Sequence, residues 1–449
     1  MTAGRSDGTG DVDPVSGPPG SGGSDPDSEL PAVAPENPNP IVVAARPPLA
    51  LLRDPVLGPF LAGSLTSNVG TWMQNVAAAI VVFDLTGSAF FVGLLVAAQF
   101  GPALLLSPWA GALADRVDRR LLLIASQTLA GMAALVLALW TAISGPEGLP
   151  GPWPLFGAAV LIGIGYAFSI PSLQALVGAL VDRPDLEGAL ALNSVSFNLA
   201  RAVGPATGAL VMVTWGPAAA FGLNAATYAV FILVLALMPR RKVELRDASR
   251  GTGSDGSVRE GFRFVLADRP LLLLIVGVGA LGFASDPVNT LAPAVADALG
   301  GGDALVGMLV SAFGVGSVLA ATVVTWVRRR VSQGMVALVG LGMLSAGMAA
   351  LAVAPQPVTA VTSLAVAGFG FLLAITSLTA QIYARVPDDY RGRVLALWGV
   401  AFLGSRPLAG LVDGALADEF SAHIAVAFAA GVGFAATTVF WIAWRAKWL

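Results

Sequence analysis

Two arginines and two aspartates stand inside long apolar stretches of the chain: Arg201, Asp286, Arg406 and Asp413. Each arginine lies about 14 residues from one end of its stretch, or about 20 Å along a helix. An arginine at that depth in a lipid bilayer costs at least ~2.5 kcal/mol, so it must face a polar cavity or a partner of opposite charge. These four side chains are therefore the first candidates for chemistry.

The aspartates suit either proton exchange or charge pairing. Asp413 follows Arg406 by two helical turns on roughly the same face, which fits equally a structural charge pair or a role in moving ions. For Arg201, a structural role is favoured. Asp286 precedes Pro287 and has no basic neighbour in its own apolar stretch. Because buried carboxylates of this kind can exchange protons near neutral pH, we predict that Asp286 is a proton carrier.

The composition places these charges in a membrane protein. Of the 449 residues, 56% are hydrophobic and only 12% are charged, whereas soluble domains carry about 25% charge. Apolar runs of about 20 residues, the length that crosses a bilayer as a helix, recur from residue 55 onward. They predict an all-α polytopic membrane protein with twelve spans, numbered 1 to 12: 55–82, 88–112, 120–143, 153–180, 188–213, 217–238, 270–296, 303–327, 333–353, 357–384, 393–416 and 422–444.

Two segments differ from the spans. Residues 1–48 are rich in Gly, Pro, Ser and acids, and they predict a disordered tail without a signal peptide. The connection 239–269 is polar and basic, and its part Val258 to Leu266 has apolar residues at helical spacing. We expect that part to lie along the membrane surface.

The basic residues predict the orientation. Apart from Arg201 and Arg406, every Lys and Arg lies in the tail, after an even-numbered span up to span 10, or at the C-terminus. Because positive residues stay on the cytoplasmic side, both termini are predicted to be cytoplasmic. The protein itself is predicted to lie in the inner or plasma membrane.

An internal repeat divides the chain into two halves. Phe91 to Val96 in span 2 resembles Leu305 to Val310 in span 8, at an offset of 214 residues, and Arg201 falls opposite Arg406 at an offset of 205. The repeat predicts two six-helix bundles, 49–238 and 270–449, joined by the cytoplasmic loop 239–269. In parallel repeats of this kind the substrate binds between the halves, near the middle of the membrane.

A motif between spans 2 and 3 carries Gly111, Asp115, Arg116, Arg119 and Arg120. The glycine permits close approach of a neighbouring helix. Asp115 is positioned either to pair with Arg119, if the turn is helical, or to face the N-terminus of another helix. An ordinary positive loop would require neither the glycine nor the aspartate, so we predict a gating role.

The motif resembles the pattern G-x-L-A-D-R-x-x-R-R of the major facilitator superfamily, and Leu113 and Ala114 also match it. The resemblance implies a transporter whose loop acts as a latch against span 11 in the outward-facing state. The equivalent loop of the second half, Trp326 to Val331, lacks the aspartate, so the latch is expected to be one-sided.

A closer resemblance is to the subfamily of enterobactin exporters and macrolide-efflux proteins. It is carried by Ser67 to Gln74, Leu85 to Ser88, Pro171 to Leu176, Leu192 to Ser194, and Asn198 to Pro205. It implies export of small amphipathic molecules, of drug or siderophore type, in exchange for protons.

Span 5 carries Gly204, Pro205 and Gly208, which resemble a shortened form of the Gly-Pro motif of antiporters in the superfamily. Proline predicts a kink, and glycine permits tight packing.

In the superfamily, spans 1, 4, 7 and 10 line the cavity. That implies cavity positions for five polar or aromatic residues, with Trp72 stacking on an aromatic ligand: Asn68, Trp72, Gln74, Gln174 and Gln381.

Other classes fit less well. An ATP-driven pump needs a phosphate-binding Gly-Lys loop, and neither Lys242 nor Lys447 follows one. A metal-dependent intramembrane hydrolase needs paired histidines, and His423 is the only one. We expect no enzyme activity, cofactor, metal or nucleic acid, and a monomer whose partners are substrate, protons and lipid. An importer of a small metabolite is the main alternative, and a membrane sensor is the next.

Overall fold

The computed structural model describes residues 46–239 and 258–446, apart from a few side chains that include that of Asp115. The described residues form helices and connections without a strand. The α-helices are α1 (Pro48–Leu51), α2 (Leu57–Thr86), α3 (Ala89–Arg116), α4 (Arg119–Ser144), α5 (Trp153–Leu180), α6 (Leu186–Leu237), α7 (Val258–Ala267), α8 (Arg269–Ala284), α9 (Pro287–Thr290), α10 (Ala292–Ala298), α11 (Gly302–Arg328), α12 (Gln333–Ala352), α13 (Pro357–Arg385), α14 (Asp388–Glu419) and α15 (Ala422–Arg445).

Eleven helical stretches in the described ranges are long and apolar enough to cross a membrane. One of them contains α6, which has 52 residues and holds predicted spans 5 and 6. The two spans are separated at Gly216, where φ is +78° and the backbone leaves the helical region. Only glycine adopts this conformation readily, so the chain turns there into the next span.

Predicted span 7 is wrong as a single helix. The structure divides it into α8, α9 and α10, with a break at Ser285 and Asp286. Pro287 explains the break, because it has no N–H to donate to the carbonyl one turn earlier. The peptide hydrogen of Asp286 bonds the Phe283 carbonyl oxygen instead, at 3.1 Å.

The helices form two bundles that touch along two pairs of helices. In the first half, α2 packs on α6, and α5 on α3 and α4; in the second, α13 packs on α11 and α12, and α14 on α8. The contacts between the halves are mainly those of α3 with α14 and of α6 with α11. This is the predicted architecture of two related six-helix bundles.

The bundle has two ends. We call the end where α3 finishes and α4 begins the basic end, and the end where α2 finishes and α3 begins the opposite end. At the basic end lies α7, which confirms the predicted helical segment. Phe264 of α7 stacks on Tyr390 with ring centres 4.4 Å apart, and Glu260 forms an ion pair of 3.2 Å with Arg393.

Candidate functional site

The four ionisable side chains singled out in the sequence are buried in the bundle. Arg201 and Arg406 are 4% and 5% exposed, and Asp286 and Asp413 are 1% and 0% exposed. Within the described ranges no ion pair joins any of them. Of the two alternatives for Arg406 and Asp413, the structural charge pair is not formed in this structure, because the Arg406 guanidinium is packed on aromatic rings.

Both arginines lie over aromatic rings. The Cζ atom of Arg201 is 4.7 Å from the ring centre of Phe313, 4.9 Å from that of Phe371 and 5.4 Å from that of Trp72. The Cζ atom of Arg406 is 5.2 Å from the ring of Phe100 and 5.1 Å from that of Phe402. Cation–π contacts of this length stabilise a desolvated guanidinium, since the ring faces carry partial negative charge.

Asp286 lies at the break between α8 and α9. The hydroxyl of Thr290 donates to its Oδ2 at 2.6 Å, while Oδ1 is buried without a donor. Both arginines lie within electrostatic reach of this carboxyl group. Neither oxygen of Asp413 has a donor, and Asp286 is near enough to interact with it.

A cavity lies between the halves, on the side of these charges toward the opposite end. Trp72, Asn75, Gln99 and Phe100 line it from the first half, and Asn289 of α9 lines it from the second. The Gln99 side-chain amide donates to Asn75 at 3.0 Å. Of the five predicted cavity residues, Trp72 alone is part of this lining.

The other predicted cavity residues lie elsewhere. Gln74 accepts a hydrogen bond of 2.6 Å from Asn224 of α6, so it joins two helices of one half. Its neighbour Asn75 faces the cavity instead, since consecutive helical residues point about 100° apart. Spacing within a span could have suggested this face only if the direction of the cavity were known.

Three further predicted residues lie nearer the basic end. Gln381 donates to the carbonyl oxygens of Gln333 and Ser377, at 3.4 and 3.2 Å, and this contact holds it against the start of α12. Asn68 is half-buried and bonds the carbonyl oxygen of Ser64 in its own helix. Gln174 is exposed. None of the three lines the cavity.

At the opposite end, the halves meet at glycines. A Cβ at Gly93 of α3 would overlap the Gly410 carbonyl of α14, and a Cβ at Gly307 of α11 would overlap Ala209 of α6. Gly93 and Gly307 are equivalent positions of the internal repeat. The repeat thus contains a signal for these crossings, although the sequence alone does not show that these two positions lie between the halves.

Asp418, near the end of α14, closes the same end. Its carboxylate accepts hydrogen bonds from the Ser88 hydroxyl, from the peptide nitrogen of Ala89 at 2.7 Å and from that of Phe90 at 3.2 Å. A residue of the second half therefore caps the first turn of a helix in the first half. No local sequence pattern links positions 330 residues apart.

The Gly-Pro segment packs α6 against α2. A Cβ at Gly204 would lie 2.9 Å from the Val69 carbonyl oxygen, and one at Gly208 would lie 2.8 Å from that of Met73. The predicted tight packing is present. The backbone keeps helical torsion angles through Pro205, and within α6 it departs from them at Gly216.

The motif loop lies at the basic end. Because α3 ends at Arg116 and Val117 is extended, Asp115 and Arg119 do not share a helical turn, so the condition for their pairing along one turn is not met. Among the described residues, no atom of another element lies within 4 Å of a Cβ placed at Gly111, so this glycine is not at a close helix crossing in this structure. Arg120 donates to the carbonyl oxygen of Ala236 at 2.7 Å.

In the same region, Arg116 is exposed and Arg119 is half-buried. Asp118 caps α4 by accepting from the Arg120 and Leu121 peptide nitrogens.

A carboxylate at the basic end ties the first described residue to the bundle. Asp185 accepts bonds of 2.7 Å from both the peptide nitrogen and the Nε of Arg46. These hydrogen bonds favour the charged form, and they hold the pKa of Asp185 below its ordinary value.

A family model described as "Transmembrane secretion effector" matches residues 46–447. An enterobactin exporter of Escherichia coli is 28% identical over 320 residues, which are 70% of each chain. One of Salmonella choleraesuis is 27% identical over 322 residues, which are 70% of this chain and 71% of that protein.

Solved structures share the fold. The nucleoside transporter NupG has a TM-score of 0.68 at 14% identity, over 87% of this chain and 99% of its own. A bacterial homologue of the human lysosomal transporter Spinster, inward-facing and unoccupied, has a TM-score of 0.70 at 13% identity, over 87% and 98%.

Proposed function

The chain belongs to the transmembrane secretion effector family of the major facilitator superfamily, and on this premise we propose that it exports small amphipathic molecules in exchange for protons. The proposal rests on a set of buried charges at the centre of the bundle, beside a cavity lined by residues of both halves. The relatives named as enterobactin exporters support the outward direction.

The distribution of basic residues supports a cytoplasmic basic end. Outside Arg201 and Arg406, positive charge is confined to segments that precede or follow spans at that end. With this orientation both termini lie in the cytoplasm, the compartment from which an exporter takes its substrate.

Alternating access gives the two ends their roles. The opposite end is held by glycine crossings and by Asp418, whereas no described atom of another element lies within 4 Å of a Cβ at Gly111, at the basic end. We therefore assign the structure to the inward-facing state. In the outward-facing state, the motif residues Gly111, Asp115, Arg116, Arg119 and Arg120 would hold the basic end closed.

Asp286 is the proposed proton carrier. It lies at a helix break, where the chain can adjust without breaking a continuous helix, and one of its oxygens has no hydrogen-bond donor. Each proton that moves inward yields about 2.3 kcal/mol per 100 mV of membrane potential. That free energy drives an uphill exchange if substrate and proton cannot cross independently.

The test uses energised inside-out vesicles that contain the wild type, Asp286→Asn or the control Asp297→Asn. Asp297 is an exposed carboxylate at the opposite end. We expect amphipathic compounds to release protons from wild-type and control vesicles but not from Asp286→Asn vesicles. Wild-type activity in Asp286→Asn would disprove the role of Asp286, and absence of proton release from the wild type would disprove antiport.

The direction of transport is tested by growing cells that carry the protein on an antibiotic and siderophore panel. An exporter lowers the cellular accumulation of a toxic substrate and improves growth, whereas an importer raises the accumulation and impairs growth.

A further inference from the structure

The centre of the bundle contains hydrogen-bond donors that lack acceptors. Within the described ranges, four nitrogen atoms of this region are buried without a partner: Arg201 Nη2, Asn289 Nδ2, Trp398 Nε1 and Arg406 Nε. A buried donor without an acceptor is costly, and more so when it carries charge. Such a set at the interface of the two halves fits an acceptor that is not part of the chain.

Ring contacts connect three of these donors, those of Arg201, Trp398 and Arg406, into one region. Phe371 contacts Arg201, and Phe402 contacts Arg406. The ring centres of Phe371 and Phe402 are 6.1 Å apart. Trp398 stacks on Phe402 with ring centres 5.4 Å apart. The donors from both halves are therefore held along one continuous aromatic surface.

The same surface reaches the cavity. Trp72, which contacts Arg201, and Phe100, which contacts Arg406, are both cavity-lining residues, and Asn289 lies opposite them. Trp72 and Phe100 thus each contact a guanidinium and also line the cavity. Aromatic and charged recognition elements occur here side by side.

The carboxylates do not satisfy the arginines in this structure. Asp286 and Asp413 form no ion pair with either guanidinium, although Asp286 is within electrostatic reach of both. A planar guanidinium presents its donors as a fork that matches the two oxygens of a carboxylate. Two such forks favour an anion over a neutral acceptor.

We propose that Arg201 and Arg406 bind the acidic group of an aromatic organic anion, whose ring packs against Trp72 and Phe100. This names a substrate class for the proposed exporter and rests on that function. It does not require proton coupling, because the exit of an anion from a negative cell interior is itself favoured by the membrane potential.

The test measures binding to purified full-length protein by calorimetry with a matched pair of probes, 1-naphthoate and its neutral amide, 1-naphthamide. The wild type should bind naphthoate about tenfold more tightly or better, the effect of one charge-assisted hydrogen bond or more. Arg201→Gln and Arg406→Gln should each weaken naphthoate binding about tenfold and leave the amide unchanged. The control Arg445→Gln removes an exposed arginine that lies over Trp441, and it should change neither.

Equal affinity of the wild type for the two probes, or no binding of naphthoate, would overturn the proposal even if the glutamine variants fail to fold. Unchanged discrimination in folded Arg201→Gln and Arg406→Gln would also overturn it. Charge-selective binding without export in vesicles would retain the anion site and reject the exporter. Export of other compounds by a protein that binds naphthoate and naphthamide equally would retain the exporter and reject the anion site.

Discussion

Asp418→Ala is expected to open the end of the bundle that is closed in this structure. The Asp418 carboxylate is a helix cap supplied across the two halves, with bonds to the hydroxyl of Ser88 and to the Ala89 and Phe90 peptide nitrogens. Alanine removes all three acceptor contacts at once. The first turn of α3 then keeps its packing on α14 but loses its hydrogen bonds to the second half.

The magnitude follows from the geometry. Loss of a side-chain cap costs about 0.5–2 kcal/mol. Asp418 is exposed, so water replaces part of each bond, and we take about 1 kcal/mol. This corresponds to about a fivefold shift from the inward-facing toward the outward-facing population. The fold itself should remain intact, because the contact joins the halves rather than the helices within one half.

Spin-label distance measurements can report this shift directly. The chain has no cysteine, so cysteines introduced at Glu147 and Val353 would be the only labelling sites. Both are exposed and lie at the opposite end in different halves. Asp418→Ala should increase the population with the longer distance, and Asp297→Ala, which removes an exposed carboxylate of the same end, should not.

An unchanged distance distribution in Asp418→Ala would refute this reasoning, as would an equal shift in the control. The first result would mean that the glycine crossings hold the end without the cap. The second would mean that negative charge at this end, and not the hydrogen bonds of Asp418, determines the equilibrium.

Three further predictions concern contacts of different kinds. Gly93→Ala should destabilise the closed end by about 1–3 kcal/mol, because the added methyl group overlaps a backbone carbonyl of α14, and the same spin labels would detect it. The pKa of Asp185 is held below its ordinary value by Arg46, so this tie stabilises the fold at neutral pH and is lost as the pH falls through the folded-state pKa. Thermal unfolding between neutral pH and values below 3.8 should therefore show a larger acid loss in the wild type than in Asp185→Asn. Gln74→Leu leaves the amide of Asn224 without its acceptor and should lower the unfolding temperature, at a cost of about 0.6–2 kcal/mol.

The glycine and glutamine substitutions each have a matched control. Gly101 lies on the same helix as Gly93, but the described residues place no atom of another element within 4 Å of a Cβ there. Gly101→Ala should therefore be neutral or slightly stabilising. Gln174→Leu changes an exposed glutamine and should leave the unfolding temperature unchanged. Equal effects in variant and control, or identical acid profiles of wild type and Asp185→Asn, would contradict the respective argument.

The spans could be predicted because their determinant is local. A helix that crosses lipid must satisfy its own peptide groups and needs about 20 apolar residues, whatever its neighbours are. The same holds for the amphipathic helix α7 and for the boundary at Gly216, where a single residue type permits the turn. The motif of the superfamily could also be recognised, since its residue types and spacing occur within one loop.

The candidate site was only partly predictable, because its contacts join residues distant in the chain. The sequence placed Arg201, Arg406, Asp286 and Asp413 in the interior, and the structure confirms their burial. It did not reveal that the arginines lie on aromatic rings rather than beside carboxylates. Which partner a buried guanidinium contacts depends on the rotation of every helix around it.

For the same reason, the sequence alone could not show that Asn75 and not Gln74 faces the cavity. Both are amides of one span, and a rotation of about 100° decides which faces the cavity and which bonds another helix. Hydropathy determines that a helix crosses the membrane, because lipid is the same on all sides. Only the packed neighbours, which differ on each side, determine the direction in which its polar residues point.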